Sequence, residues 1–249
     1  MKQIYLSREN IYNGNLILVN ARYPYRDVAV PDMTSMDDCF PEILLKQEAA
    51  KALQSILKKI SADGAIVPVS GYRSLEEQTE IFNSSLTENG EEFTRKYVAL
   101  PNHSEHQTGL AIDLGLNQPE IDFIRPDFPY EGICNAFRKA APDFGFVERY
   151  QKDKEKITGI SQEPWHFRYV GYPHSKIMYE HRFSLEEYTD FLKSFRVHNK
   201  YAMDVFEIYY IPYSDISERK DVTALLPEHS AFRISGNNVD GLIVTERID

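Results

Sequence analysis

Between Leu110 and Leu116 the sequence alternates without a break. Leu110, Ile112, Leu114 and Leu116 fall on one face of an extended chain, and Ala111, Asp113 and Gly115 fall on the other. A segment of this kind belongs in a sheet with its leucine face against a core, so the chain is not all-helical. The opposite face carries one carboxylate among residues too small to shield it. A carboxylate in mid-strand is costly to bury unless it is paired or coordinated, so a cation belongs opposite Asp113. That cation is either a metal ion or an arginine, with Arg73 and Arg168 as the arginine candidates.

The rest of the chain supplies elements to pack around such a strand. From Ile43 to Ile60 the apolar positions Ala49, Ala52, Leu53, Ile56, Leu57 and Ile60 keep helical spacing, and Gly64 follows as a stop. Ala65 to Ser70 reads as a short strand, placed at a sheet edge or strand end by Pro68. Gly71-Tyr72-Arg73 makes the turn out of it. Ser74 and Glu77 form a capping box that opens a helix to about Leu86, which fixes Arg73 at the strand-to-helix junction. Thr87 to Ser104 is polar and reads as a long loop. Asn135 to Ala141 reads as a short helix, with strands at Gly145 to Val147 and Trp165 to Val170; Pro164 disfavours a helical conformation at Glu163.

Beyond Tyr172, Ser184 and Glu187 cap a helix to about Arg196, and Met203 to Tyr213 reads as a strand. Phe232 to Ser235 and Leu242 to Thr245 read as a hairpin about the turn-rich Gly236 to Gly241. At 249 residues the chain approaches the limit of a single core. The expected architecture is α+β, with a central antiparallel or mixed sheet, helices packed on it and the functional site in a cleft on the small-residue face. A main domain over 1–183 would carry a small α+β appendage over 184–249.

A formal net charge of −10, with no basic block, disfavours nucleic acid as a partner. No apolar run is long enough to cross a bilayer. The first ten residues lack a signal-peptide pattern, which leads to an expectation of a cytoplasmic location. Cys39 and Cys134 lack metal-binding spacing and read as buried thiols.

A turn through Gly109 could return His106 toward the face that bears Asp113, and His166 lies on another expected strand. Two imidazoles and a carboxylate form a normal three-ligand set for catalytic zinc, with one position left for water. Glu163 is placed to handle the water proton. Taken alone, a histidine such as His166 is more often a structural hydrogen-bonding residue than a ligand, and an arginine could replace the metal.

Two motifs bear on that choice. Ser104-Glu105-His106-Gln107-Thr108-Gly109-Leu110-Ala111-Ile112-Asp113 resembles the S-x-H-x-x-G-x-A-x-D signature of the VanY-type D-alanyl-D-alanine carboxypeptidases, and Glu163-Pro164-Trp165-His166 resembles their E-x-W-H. Ser70 to Ser74 with Gln78 is similar to the family's S-G-Y-R-S-x-x-x-Q, and Leu16 to Asn20 to its L-I-L-V-N. The likeness runs from about Asn15 to Gly171. It implies that His106, Asp113 and His166 bind zinc, that Glu163 is the catalytic base, and that Arg73 places a positive charge near the substrate. Gln78 and Ser104 are implied as substrate-binding residues.

Without an N-terminal hydrophobic anchor, the chain looks most like the bifunctional VanXY type. That type hydrolyses the D-Ala-D-Ala dipeptide and trims the terminal D-Ala from the cell-wall precursor pentapeptide, which implies a role in vancomycin resistance. The expected partner is therefore a small peptide ending in D-Ala. An L-alanyl-D-glutamate peptidase and a non-catalytic zinc-binding module are the alternatives. His103, His174, His181, His198 and His229 lie outside the motifs and read as exposed loop histidines.

Overall fold

A computed structural model of the chain describes residues 6–26, 32–36, 38–216, 226 and 231–248. These form two compact units: Val19–Tyr25 with Ala29–Ser184, and Met1–Leu18 with Arg26–Val28 and Leu185–Asp249. This grouping differs from a division into 1–183 and 184–249 at the N-terminus, where the first segment joins the C-terminal residues.

In the larger unit β1 (Met33–Ser35) pairs antiparallel with β2 (Leu44–Lys46), which leads into α1 (Gln47–Lys59). The expected helix from Ile43 therefore starts later. Leu44 O accepts from Tyr72 N at 2.7 Å and Lys46 N donates to Gly109 O at 2.8 Å, and these long-range bonds hold residues 44–46 extended. Next come β3 (Ile66–Ser70), α2 (Leu75–Tyr97), β4 (Ala111–Leu116), α3 (Gly132–Ala140), β5 (Phe146–Glu148), α4 (Glu155–Thr158), β6 (His166–Tyr169) and α5 (His174–His181). The sheet order is β3-β4-β6-β5 with every neighbouring pair antiparallel, so the Pro68 strand does lie at an edge.

One face of this sheet is the core. Leu110, Ile112, Leu114 and Phe167 pack with Leu53 and Ile56 of α1 and with Cys134, Phe137 and Phe146. Each such side chain contributes about 1.5–3 kcal/mol by leaving water.

Ser74 caps α2 through the expected box, its Oγ accepting from Glu77 N at 3.1 Å while Glu77 Oε2 accepts from Ser74 N at 2.6 Å. The helix does not stop near Leu86. It runs to Tyr97 through a break at Gly90, whose φ is 82°. Its buried positions include Gln78, Ser85 and Thr94, with Ser85 Oγ and Thr94 Oγ1 hydrogen-bonded at 2.8 Å. A helix that buries hydroxyls and an amide lacks the apolar periodicity by which sequence reveals one.

The other unit contains α6 (Leu185–Leu192), β7 (Tyr201–Met203), β8 (Phe206–Pro212), α7 (Tyr213–Ile216), β9 (Ala231–Gly236) and β10 (Gly241–Arg247). Its sheet order is β7-β8-β10-β9, also antiparallel throughout. The expected single strand from Met203 is two, since Met203 pairs with Phe206 across a tight turn in which Asp204 has a φ of 52°. The hairpin of β9 and β10 matches expectation. Its turn is tied by Asn237 Oδ1, which accepts from the backbone N–H groups of Val239, Asp240 and Gly241. Gly236 is required beside the N-terminal segment, because a Cβ there would sit 2.0 Å from Ile11 O.

Cys39 is exposed, contrary to expectation, whereas Cys134 is buried. His174 is buried at the start of α5 and His103 is half-buried, its Nδ1 lying 2.7 Å from Asn20 O. Residues near each in space, rather than in sequence, cover them. His181 and His198 are exposed, and His229 lies outside the described residues.

Candidate metal centre and active site

The register of the first sheet builds the site. Asp113 of β4 pairs with His166 of β6 on one side and with Ser70 of β3 on the other, beside an irregularity between Pro68 and Ser70. Directly opposed residues on antiparallel strands point to the same face, so Asp113 and His166 meet without help from any loop.

His106 arrives by a different route. It sits on a short 3-10 turn, Glu105–Thr108, closed by Gly109 in the left-handed region with a φ of 67°. A Cβ at Gly109 would be strained there and would lie 2.4 Å from Met33 Cε. This is the turn expected to return His106 to the strand face. Ligand atoms of His106, Asp113 and His166 lie within 4.8 Å of one another, and all three residues are buried.

Each ring is oriented by a second partner. His106 Nδ1 is 2.6 Å from Gly71 O, which leaves Nε2 facing Asp113 Oδ2 at 3.1 Å. His166 Nδ1 is 2.8 Å from Asp113 Oδ1, and its Nε2 is 3.3 Å from Glu105 Oε2. Tyr150 stacks on the His166 ring with centroids 5.1 Å apart.

Of the two candidate arginines, Arg73 faces Asp113. Its Nη2 donates to Asp113 Oδ2 at 2.9 Å and its Nε to Ser70 Oγ at 2.7 Å. Arg168 points elsewhere, pairing with Glu105 at 2.9 Å. Arg73 is therefore the arginine that supplies positive charge beside this carboxylate.

Glu163 and His166 are the ends of a β-turn. His166 N donates to Glu163 O at 3.2 Å, with Pro164 at the second position, where its fixed φ suits the turn. Arg138 Nη2 donates to Pro164 O at 2.7 Å and braces it. The turn sets Glu163 Oε2 4.0 Å from His166 Nδ1.

Electrostatics separate the roles. Burial pushes the Glu163 carboxyl up to about 8. Burial also acts against Asp113, but His106 and His166 outweigh it and hold that carboxyl well below the usual range. Burial would lower His166; hydrogen bonds to Asp113 and Glu105 raise it to about 9 instead. His106 is lowered by burial and by Arg73. Glu105 is held at about 2, because Arg149 and Arg168 overcome the burial that would raise it.

The cleft wall also includes Ser104, Phe123, Tyr150 and Trp165. Ser104 caps the 3-10 turn by accepting from His106 N at 3.3 Å. Gln78 is fully buried behind Arg73, its Nε2 donating to Ala99 O at 2.8 Å. Sequence reasoning missed Glu105, which lies inside the first motif at a position the signature leaves open, and its partner Arg149, and it offered Arg168 to Asp113 rather than to Glu105.

Three buried side chains that could hold a metal ion, from two strands and a turn, with a separate carboxyl of raised pKa beside them, have the constitution of a metallohydrolase centre. The sequence profile of VanY, D-alanyl-D-alanine carboxypeptidase, matches residues 42–172. The bifunctional D-Ala-D-Ala dipeptidase and D-Ala-D-Ala carboxypeptidase VanXYC of Enterococcus gallinarum is 40% identical over 181 residues, covering 72% of this chain and 95% of that protein.

Among solved structures, the vancomycin resistance D,D-dipeptidase VanXYg, in complex with a D-Ala-D-Ala phosphinate analog, superposes with a TM-score of 0.92. It is 60% identical, and the match covers 99% of this chain and 98% of that one. A variant of the D,D-pentapeptidase VanY from a VanB-type cassette, in complex with Zn(II), gives 0.58 at 30% identity over 70% of this chain and 98% of that one. The chain belongs to the VanY family of D-alanyl-D-alanine carboxypeptidases.

Proposed function

We propose that the chain is a zinc-dependent D,D-peptidase that hydrolyses D-Ala-D-Ala and removes the terminal D-Ala from the peptidoglycan precursor pentapeptide, and that it thereby contributes to vancomycin resistance. The observation that carries this reading is the buried triangle of His106, Asp113 and His166 with the Glu163 carboxyl beside it in one cleft.

In this reading His106 holds the metal through Nε2 and His166 through Nδ1, because Gly71 O and Glu105 engage their other nitrogens. Asp113 supplies the third ligand. Zinc, when bound, supplies Lewis acidity toward a carbonyl oxygen and a water. Glu163, ionised once a cation sits beside it, would take a proton from water and return it to the departing amine. Arg73 polarises the scissile carbonyl and stabilises the negative charge that develops on its oxygen. Ser104 contacts the substrate at the cleft wall, while Gln78 acts through Arg73 and Ala99. A cytoplasmic location goes with this reading and is checked by fractionation of cells that express the chain.

The test is D-alanine release from the D-Ala-D-Ala dipeptide and from a pentapeptide ending in it, with zinc-loaded protein, chelator-treated protein and Glu163→Ala. Release from both substrates by the loaded protein alone is the expected result. Release from neither would overturn the reading.

A further inference from the structure

The hydrolytic reading leaves a buried charged cluster behind the cleft without a task. Glu105 is 1% exposed, and its Oε1 lies 3.1 Å from Arg149 Nε and 2.9 Å from Arg168 Nη1. Oε2 lies 3.3 Å from His166 Nε2. Glu105 and His106 are consecutive on the same 3-10 turn. One turn therefore delivers His106 to Asp113 and carries Glu105 to the far side of His166.

An ionised carboxylate only accepts hydrogen bonds, so the imidazole nitrogen that faces it carries a hydrogen. Both ring nitrogens of His166 face a carboxylate, and a metal would require a neutral ring; with the remaining hydrogen held on Nε2 by Glu105, the lone pair falls on Nδ1, the nitrogen turned toward Asp113. The two histidines differ in this respect, because the matching partner of His106 is the neutral carbonyl of Gly71. We propose that Glu105 is a positioning residue, held by Arg149 and Arg168, that fixes the tautomer and ring orientation of His166 and so sets the affinity of the site for zinc. The proposal rests on the assignment of His106, Asp113 and His166 as zinc ligands. A purely structural role, in which Glu105 only neutralises two buried arginines, is the competing account.

Glu105→Gln separates the two. The amide keeps one oxygen, for which two arginines compete, and this turns its N–H toward His166 Nε2. The ring must then present a lone pair there and carry its hydrogen on Nδ1, the wrong nitrogen for the metal. Loss of such an outer partner typically weakens metal binding by about 10- to 100-fold.

Zinc dissociation constants, measured by competition with a chromophoric chelator, are compared for the unaltered protein, Glu105→Gln and Glu246→Gln. The last removes the charge from a buried carboxylate of β10 that is paired with Lys200, in the unit that holds none of the three ligands. The expected result is weakening of about 10- to 100-fold in Glu105→Gln and none in Glu246→Gln. Equal affinity in all three, or equal weakening in both variants, would overturn the proposal.

Should Glu105→Gln fail to fold, long-range proton–nitrogen NMR correlations of the unaltered zinc-loaded protein decide the matter. A hydrogen on His166 Nε2 is required, and one on Nδ1 refutes the assignment. If the unaltered protein binds no zinc, the ligand assignment itself falls, and this proposal with it.

Discussion

Among the described residues are two four-stranded antiparallel sheets, and they treat charge in opposite ways. The sheet of β8 and β10 is backed by Leu6, Ile11, Tyr209, Ile211, Leu242 and Val244, and its ion pairs, such as Lys200 with Glu207 at 2.8 Å, remain part-exposed. The sheet of β4 and β6 has an apolar face of the same kind, but against its other side it gathers Arg73, Glu105, His106, Asp113, Glu163, His166 and Arg168, all of them buried or nearly so. Burying ionised groups costs stability unless each has a close partner, and apolar replacements often stabilise. The second arrangement is therefore kept for chemistry, and the first is an ordinary solution to making a core.

The contrast breaks most sharply at Glu163. Glu163→Gln is expected to lower kcat roughly 10²- to 10⁴-fold, the usual share of a general base. Thermal stability of the metal-free protein should hold or rise, because without a cation beside it a carboxyl raised to about 8 is mostly protonated at neutral pH and the amide imitates it. Steady-state kinetics beside a melting curve check both halves.

Arg73→Ala should follow, with kcat lowered on the order of 10²- to 10³-fold, as for loss of an oxyanion donor, and KM little changed. A raised KM with an unaltered kcat would make Arg73 a carboxylate clamp instead.

Leu242→Ala in the other sheet should cost about 2–5 kcal/mol of stability, measured by urea denaturation, and leave the activity of the folded fraction unchanged. A parallel fall in kcat would show that the two sheets are not separate in function.

The last contrast is the pH dependence of the metal-free protein. His166 is raised from 6.5 to about 9, so its contribution is fully present below pH 6.5 and is lost as pH rises through 9. Glu163, raised from 4.5 to about 8, is favoured protonated in the fold and adds loss in the same direction. Glu105 acts at the other end. Held at about 2, it contributes stability that is present above pH 4.5 and lost as pH falls toward 2. Melting temperature after chelation should decline from pH 6.5 to 9, and a flat profile would mean that these groups are not coupled as the geometry implies.

Much of the first sheet could be read from the chain itself. The alternation about Asp113, the edge strand with Pro68 and the capping box at Ser74 each rest on local chemistry, and each appears in the structure. Where reading failed, tertiary contacts had replaced local preference. Residues 44–46 satisfy helical spacing but are held extended by hydrogen bonds to Tyr72 and Gly109. The second half of α2 has polar residues on its buried side and gave no periodic signal. Cys39 is exposed and His174 buried because residue type sets only an average tendency to burial.

By itself the sequence determined the residue types of the candidate site and the order of its two motifs, since the spacing of His106, Asp113, Glu163 and His166 is fixed by the covalent chain. It also determined that Asp113 needs a cation. Only the tertiary structure decided which arginine supplies charge there, because Arg73 and Arg168 are equivalent until strand register sends one to Asp113 and the other to Glu105. The same holds for the ring nitrogens. Their assignment depends on Gly71 O and Glu105 meeting His106 and His166 across 35 and 61 residues of chain, a proximity that folding alone creates.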